Sequence, residues 1–224
     1  MKTLLSNRRE RGVTLVEFLV VFAVLIVLAI FFLSVPDRNA RARALRVQCI
    51  NNLKQTGLAF DVWANDHGEQ FPMEISQTNG GTIEFTTGAN EWRHFQIMSN
   101  ELSTPKVLFC PADNSRLFAT NFAFFNNSNL SYFINLDFSH PNPSAIWSGD
   151  RNLTNGAPMH DGILEFTTNQ PVAWTSEMHK KVGNLLLFDG SVSQVNKEGL
   201  RNAVANSGTF TNRFQMPITA QGKP

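Results

Sequence analysis

One carboxylate, that of Glu17, lies in an otherwise apolar stretch, and no further charge follows it in residues 18–33. An ionised carboxylate in hydrocarbon costs several kcal/mol unless a counter-charge offsets it. A Glu in such a stretch is therefore a functional residue that needs a positively charged partner. The sequence predicts that Glu17 serves assembly through an ion pair.

His179 and Asp189 are a second pair of residues with chemical potential, followed at once by Gly190. Histidine binds metals and titrates near neutrality, so the pair could form a metal site or an acid/base pair. Asp-Gly between two apolar segments is also the strongest hairpin signal in the chain, because a type I′ turn needs residues with φ > 0. We therefore favour structural roles for all three residues, with a metal ligand and then catalysis as the weaker alternatives.

The two cysteines, Cys49 and Cys110, lack the close spacing of a zinc site. In an oxidising compartment they could form one bridge that closes about sixty residues and stabilises the fold by a few kcal/mol. In a reducing compartment they would be two buried thiols. The sequence leaves both alternatives open.

An apolar segment at residues 13–35 accounts for the position of Glu17. Its 23 residues would form a helix about 35 Å long, enough to cross a hydrocarbon core of about 30 Å. A secretory signal peptide has a shorter apolar region and a small-residue cleavage site beyond it, which this segment lacks. Residues 1–12 before the segment and residues 37–46 after it each carry a net charge of +3, so charge alone does not orient the segment. The sequence predicts a spanning or anchoring helix.

Helical periodicity continues beyond Pro36 to Asn65, with an apolar stripe that includes Leu53 and Phe60, and His67 and Gly68 are expected to end the helix. A helix with one apolar stripe must be covered, and an antiparallel sheet is the natural cover. The predicted strands are 82–86, 107–109, 131–135, 145–148, 163–167, 184–188 and 191–195. Two short helices are predicted at 91–102 and 197–206.

Composition limits the classes of protein. The 224 residues suffice for a membrane segment and one domain of roughly 150 to 190 residues. Residues 1–12 carry a net charge of +3, whereas the whole chain carries +1. The rest of the chain is therefore slightly acidic, and no nucleic-acid partner is expected. The chain has no G-x-S-x-G elbow and no phosphate-binding loop. We predict that the protein is not an enzyme.

Around Glu17 the chain reads Arg11-Gly12-Val13-Thr14-Leu15-Val16-Glu17. This segment closely resembles the processing site of type IV pilins and type II secretion pseudopilins. The family pattern is a basic leader that ends in Gly, then an apolar residue, Thr-Leu, and Glu as the fifth residue after the cleavage site. The resemblance implies that a prepilin peptidase cuts between Gly12 and Val13 and methylates Val13. It also implies that Glu17 pairs with the N-terminal amine of a neighbouring subunit.

Two features depart from that pattern. Val13 stands where the family usually has Phe, and Pro36 falls two positions later than the usual proline. Pro36 should still kink or loosen the helix.

Segments 49–55, 64–72 and 109–113 resemble a pseudopilin-like family of planctomycete and verrucomicrobial bacteria. That family is defined by a His, nine residues and then Asp-Gly, which His179, Asp189 and Gly190 match. The resemblance covers most of the chain. It implies an α+β, pilin-like fold, in which a long N-terminal helix with a membrane-spanning first half packs against an antiparallel β-sheet head domain. The implied divisions are a leader at 1–12, a transmembrane and filament-core helix at 13–35, its continuation at 36–67 and a β-rich head at 68–224.

The implied partners are the prepilin peptidase, other pilin or pseudopilin subunits packed through the N-terminal helix, and the inner membrane. The implied location is a single pass through that membrane with an extracytoplasmic head, and a periplasmic or surface filament after assembly. No cofactor is predicted. Major pseudopilins often hold calcium in a head loop, and Asp113, Asp137, Asp150 and Asp161 lie in suitable loops. No D-x-D-x-D-G series occurs, so calcium stays open with its ligands unknown.

The leading hypothesis is a structural subunit of a type II secretion or type IV pilus-like filament. The alternative is a membrane-anchored extracytoplasmic binding protein that uses a pilin-type leader for export. An enzyme on the same anchor ranks third.

Overall fold

The computed structural model describes residues 13–33, 38–137 and 142–219, with only the backbone described at 32, 33, 38 and 39. The chain divides into two compact units, residues 1–41 and 42–224. The helices are α1 (Leu15–Leu33), α2 (Arg38–Asp66), α3 (Trp92–Gln96), α4 (Ser99–Leu102) and α5 (Lys197–Asn206). The strands are β1 (Tyr132–Asn135), β2 (Ile146–Asp150), β3 (Leu153–Thr154), β4 (Ile163–Thr167), β5 (Ala173–Trp174), β6 (Gly183–Leu187), β7 (Val192–Val195) and β8 (Thr211–Gln215).

Helix α1 is apolar on all its faces, and Glu17 in its first turn is its one charged residue. The large apolar side chains of residues 13–31 are each between 45% and 77% exposed. Pro36, where a kink was predicted, lies outside the described residues, between the end of α1 and the start of α2. Among the residues that the structure describes, no helix is both long and apolar enough to cross a membrane.

Helix α2 buries the predicted stripe in the second unit: Cys49, Leu53 and Phe60 are fully buried there. The helix ends at Asp66, as His67 and Gly68 predicted, and His67 Nδ1 donates to the Trp63 carbonyl at 2.7 Å. Phe60 packs on Trp147 of β2 with ring centroids 5.2 Å apart. The prediction that an antiparallel sheet covers this helix is confirmed.

The main sheet has six strands in the order β4-β8-β1-β2-β6-β7, and all its pairings are antiparallel. Strands β3 and β5 form a separate two-stranded sheet. Successive residues of β1 point to opposite faces: Ile134 joins the apolar cluster that contains α2, whereas Phe133 joins the cluster that contains α5. The sheet is therefore a central layer with a core on each side.

Five of the predicted strands, which correspond to β1, β2, β4, β6 and β7, are confirmed, and so is α5. Two predicted strands are wrong. Residues 82–86 instead contain the 3-10 helix Ile83–Phe85, and residues 107 and 108 belong to the 3-10 helix Pro105–Leu108. In the second, Pro105 occupies the first turn and the Thr104 side chain accepts a hydrogen bond from Lys106 N, so the local sequence caps a helical turn. The predicted helix at 91–102 is interrupted and forms α3 and α4.

The β6–β7 turn corrects a further prediction. Gly190 N donates to Leu187 O at 3.0 Å, and Leu187 N donates to Ser191 O at 2.9 Å. Gly190 has φ +77°, but Asp189 is not among the residues with positive φ. The type I′ turn is therefore wrong, because that turn needs positive φ at both central residues. The observed loop is a three-residue hairpin with Gly190 in the left-handed position.

Candidate functional site

The first candidate site is the start of α1, where Glu17 folds back onto Thr14. Glu17 Oε2 accepts hydrogen bonds from Thr14 N at 2.8 Å and from Thr14 Oγ1 at 3.0 Å. Glu17 N donates to Thr14 Oγ1 at 3.3 Å. These reciprocal contacts form a capping box, which satisfies backbone donors at the first turn of a helix. The Thr-x-x-Glu spacing is the sequence signal for this local role, and it was missed.

The predicted cleavage site is only partly described. Val13 is described, and its side chain is 77% exposed. Gly12 lies outside the described residues. Glu17 is exposed as well, so its carboxylate is accessible at the start of an apolar helix.

The second candidate site is a buried cluster in the head around His179. Cys49 of α2 and Cys110 are joined in a disulfide, which settles the choice that the sequence left open. His179 Nε2 lies 3.2 Å from Cys110 Sγ and 3.4 Å from Asp150 Oδ2, at the end of β2. The side chains of His179 and Asp150 are 1% and 0% exposed. The cluster therefore brings a disulfide, an imidazole and a carboxyl group together away from solvent.

Burial controls the charges of this cluster. It raises the pKa of Asp150 to about 7, although Asn184 opposes the shift by donating from its backbone N at 2.7 Å and from Nδ2 at 2.8 Å. Burial, followed by the guanidinium of Arg46, lowers the pKa of His179 to about 4. His179 is therefore a neutral imidazole at pH 7.

Three consecutive polar residues, Asp150, Arg151 and Asn152, organise the surroundings of His179. Arg151 donates to Asp113 and Ser115, and its Nη1 donates to Glu177 Oε2 at 2.9 Å. Sequence reasoning missed this arrangement because the partners are distant along the chain.

Asn152 fixes the loop that carries His179. Its Nδ2 lies 3.1 Å from Thr175 O, 3.2 Å from Met178 O and 3.3 Å from Val182 O. This loop contains His179 with φ 48°, and the next two residues, Lys180 and Lys181, also have positive φ. Three successive side-chain-bearing residues in the left-handed region cost free energy, which the surrounding contacts offset.

Asp189 and Gly190 occupy a different environment from His179. Asp189 is exposed at the β6–β7 turn, where Oδ1 accepts from Ser191 N at 2.8 Å. Hydrogen bonds from the Ser191 side chain and, second, from its backbone N lower the pKa of Asp189. Asp189 and Gly190 therefore have sufficient structural roles at the turn, whereas His179 is a member of the buried cluster.

The four aspartates considered for calcium are dispersed. Asp113 is paired with Arg151, and Asp137 is paired with Arg213 at 2.7 Å. Asp150 contacts His179, and Asp161 lies 3.3 Å from His160 on the surface. Among the described residues, these four aspartates form no common group of metal-ligand atoms.

The described residues define an α+β protein with an exposed apolar helix and a head in which a disulfide links α2 to the loop before Asp113. No protein-family model, curated protein or solved structure significantly matches the chain. The pilin-like family therefore stays a prediction from the sequence motifs.

Proposed function

We propose that this protein is a structural subunit of a type II secretion or type IV pilus-like filament, cleaved after Gly12 and methylated at Val13. The observation that carries the proposal is the exposed apolar surface of α1. An apolar surface of this extent is typical of a segment that lipid or other protein subunits cover. In the proposal, residues 13–35 lie in the inner membrane before assembly and in the filament core afterwards.

Glu17 supports assembly through the N-terminal helix. While the start of the helix is exposed, the Glu17 carboxylate accepts hydrogen bonds from Thr14 N and Thr14 Oγ1. Inside a bundle of apolar helices, an ionised carboxylate also needs a counter-charge. Cleavage after Gly12 would create an amine on Val13 of each subunit, four residues before Glu17. The amine of one subunit would then neutralise the carboxylate of its neighbour.

The disulfide supports an extracytoplasmic head. Disulfides persist in oxidising compartments and are rare in the cytosol. The bond joins α2 to a segment 61 residues later, and both sulfur atoms are buried. A head outside the cytoplasm agrees with this linkage.

N-terminal mass spectrometry of the protein from its native membrane tests maturation. The proposal expects a chain that begins with methylated Val13. An intact Met1 would overturn it.

Cysteine cross-linking tests assembly, because both native cysteines are already paired in the disulfide. Leu25→Cys introduces a thiol on the exposed face of α1. Mild oxidation should then produce disulfide-linked dimers, since one free thiol per chain forms one intermolecular bond. Ser193→Cys on the exposed side of β7 is the matched control and should give few dimers. A mature protein that stays monomeric in the membrane would instead favour the anchored binding protein.

A further inference from the structure

The disulfide and His179 form a compact set of metal-ligand atoms in the head. Cys49 Sγ, Cys110 Sγ and one ring nitrogen of His179 all lie within 4.8 Å of one another, and all three residues are buried. His179 Nε2 is 3.2 Å from Cys110 Sγ. A neutral imidazole and two thiolates are the ligands that Zn²⁺ prefers.

The spacing agrees with tetrahedral coordination. Zinc–sulfur and zinc–nitrogen bonds of about 2.3 Å and 2.0 Å place a sulfur and a nitrogen ligand about 3.5 Å apart. The observed separation between Cys110 Sγ and His179 Nε2 is 3.2 Å. In the oxidised chain, the covalent bond between the two sulfur atoms excludes a metal. Reduction removes that bond and leaves two adjacent thiols beside the imidazole.

We infer that the reduced chain binds one thiophilic divalent cation, such as Zn²⁺, through Cys49, Cys110 and His179. A dithiol reductant supplies two electrons and two protons to the sulfur–sulfur bond, and it is itself oxidised to a disulfide. Two thiols result. The cation then displaces the two thiol protons to solvent and binds both thiolates and His179 Nε2. Water completes the fourth position, as in zinc sites with three protein ligands.

A cavity of about 250 Å³ adjoins the cluster at His179. His179, Lys180 and Pro111 line it, together with Arg46 of α2. The metal would link α2 to the head through the same cysteines as the disulfide. A newly made, reduced chain would thus have its helix and head joined by the metal. A disulfide-containing oxidant would later take two electrons from the two thiolates, so that the sulfur–sulfur bond forms, the cation is released to solvent and the oxidant is reduced to two thiols.

Cobalt titration of the full chain tests this inference. The protein is purified in detergent under reducing, oxygen-free conditions and titrated with Co²⁺ alone. We expect one Co²⁺ per chain, with a sulfur-to-cobalt charge-transfer band and the visible bands of four-coordinate cobalt. Oxidation of the same sample with diamide should abolish these bands, because it re-forms the disulfide.

Two variants identify the ligands. His179→Ala keeps both thiols and should weaken Co²⁺ binding by at least about tenfold. His160→Ala is the matched control, since the His160 side chain is 94% exposed, and it should leave binding unchanged. Circular dichroism checks that each reduced variant stays folded.

Three results would overturn the inference: no Co²⁺ uptake by the reduced chain, equal uptake by the oxidised chain, or unchanged affinity in His179→Ala. If His179→Ala unfolds but still binds Co²⁺ through its two thiols with the wild-type affinity, His179 is not a required ligand and the inference fails as well. The inference does not depend on filament assembly, so a negative cross-linking result leaves it standing.

Discussion

Arg151 and Asp113 form a two-point ion pair in which both side chains are completely buried. Arg151 Nε donates to Asp113 Oδ2 at 2.7 Å, and Nη2 donates to Oδ1 at 2.8 Å. Burial would raise the pKa of Asp113, but the hydrogen bonds and charge of Arg151 lower it below the ordinary value. The pair joins the end of β2 to the segment that follows Cys110, so it fixes one side of the His179 cluster.

Loss of either partner of this pair should destabilise the head strongly. Asp113→Asn removes the buried counter-charge of Arg151 and leaves its guanidinium with the half-exposed carboxylate of Glu177, and we expect a loss of about 3–5 kcal/mol in the free energy of unfolding. Urea denaturation at pH 7 measures this loss.

The pair between Arg213 and Asp137 provides a matched control. Arg213 also makes two side-chain contacts with its carboxylate, but its side chain is 48% exposed. Asp137→Asn should therefore cost about 1 kcal/mol or less, plus any weakening of the bond from Arg213 N to Asp137 Oδ2. Equal losses in the two Asn variants would contradict the assignment of the large effect to burial.

The disulfide should contribute a comparable share of stability. Its cysteines are 61 residues apart in the sequence, and a cross-link of that span is expected to stabilise the fold by about 2–5 kcal/mol. The double variant Cys49→Ala/Cys110→Ala should lower the free energy of unfolding by that amount under non-reducing conditions. Reduction of the wild-type chain in the presence of a metal chelator should reproduce most of the loss. A variant as stable as the wild type would contradict a native bridge.

His94 should make the head less stable in acid. Its Nδ1 lies 2.7 Å from Thr82 Oγ1, and its Nε2 lies 2.8 Å from Gln215 Oε1. Gln215 Nε2 donates to Phe85 O, so Gln215 Oε1 is an acceptor and His94 Nε2 carries the proton. His94 Nδ1 then accepts from the Thr82 hydroxyl, and the neutral ring is fully satisfied.

Burial lowers the pKa of His94 to about 4, whereas a His in the unfolded chain has a pKa near 6.5. Between these values the unfolded chain binds a proton that the folded head does not. Stability should therefore fall as the pH falls from about 6.5 to about 4, by up to about 3 kcal/mol from this residue.

Urea unfolding at successive pH values measures this dependence. His94→Gln should reduce the slope over that range without abolishing it, because His179, whose pKa burial also lowers to about 4, is present in both proteins. His160→Gln, at an exposed side chain, should leave the dependence unchanged. A His94→Gln profile that parallels the wild type would reject the assignment.

Two glycines should respond differently to substitution by alanine. Gly190 has φ +77° and no neighbour within 4 Å of an added Cβ, so Gly190→Ala should cost only about 1 kcal/mol, from backbone conformation. An added Cβ on Gly183 would overlap the ring of Trp174. Gly183→Ala should therefore cost about 1–3 kcal/mol through overpacking. Thermal unfolding of both variants measures the difference. A Gly183→Ala variant that is more stable than Gly190→Ala would contradict the packing argument.

The sequence predicted those helices and strands whose pattern of apolar residues is visible within a short segment. The apolar stripe of α2 and the apolar strands β1, β4 and β6 follow such patterns. Strand β8 was missed because its polar residues are satisfied only in the tertiary structure. Asn212 Nδ2 donates to Ser207 Oγ, and Arg213 pairs with Asp137.

The buried cluster could be predicted only in part for the same reason. Sequence resemblance identified His179 and the segment around Cys110 as motifs. It gave no indication that Asp150 would lie beside His179, because strand pairing decides that contact. β2 pairs with β6 in a register that aligns Gly149 with Leu185, and this brings Asp150 to Asn184. Such a register depends on the whole sheet rather than on any short motif.

The start of α1 offers a test that separates helix capping from subunit assembly. Glu17→Gln removes the charge but keeps an acceptor for Thr14 N, since glutamine also serves in a capping box. Thr14→Val removes the hydroxyl contacts and keeps the charge, at a cost of about 1 kcal/mol in helix stability.

If Glu17 neutralises a neighbouring amine, Glu17→Gln should reduce filament yield by at least about tenfold, because the amine is left buried and unpaired. Thr14→Val should then assemble almost as the wild type does. Electron microscopy and sedimentation of filaments measure both yields, with membrane levels of each variant as the control. The opposite pattern, in which Thr14→Val fails and Glu17→Gln assembles, would show that the carboxylate acts on its own helix rather than on a neighbour.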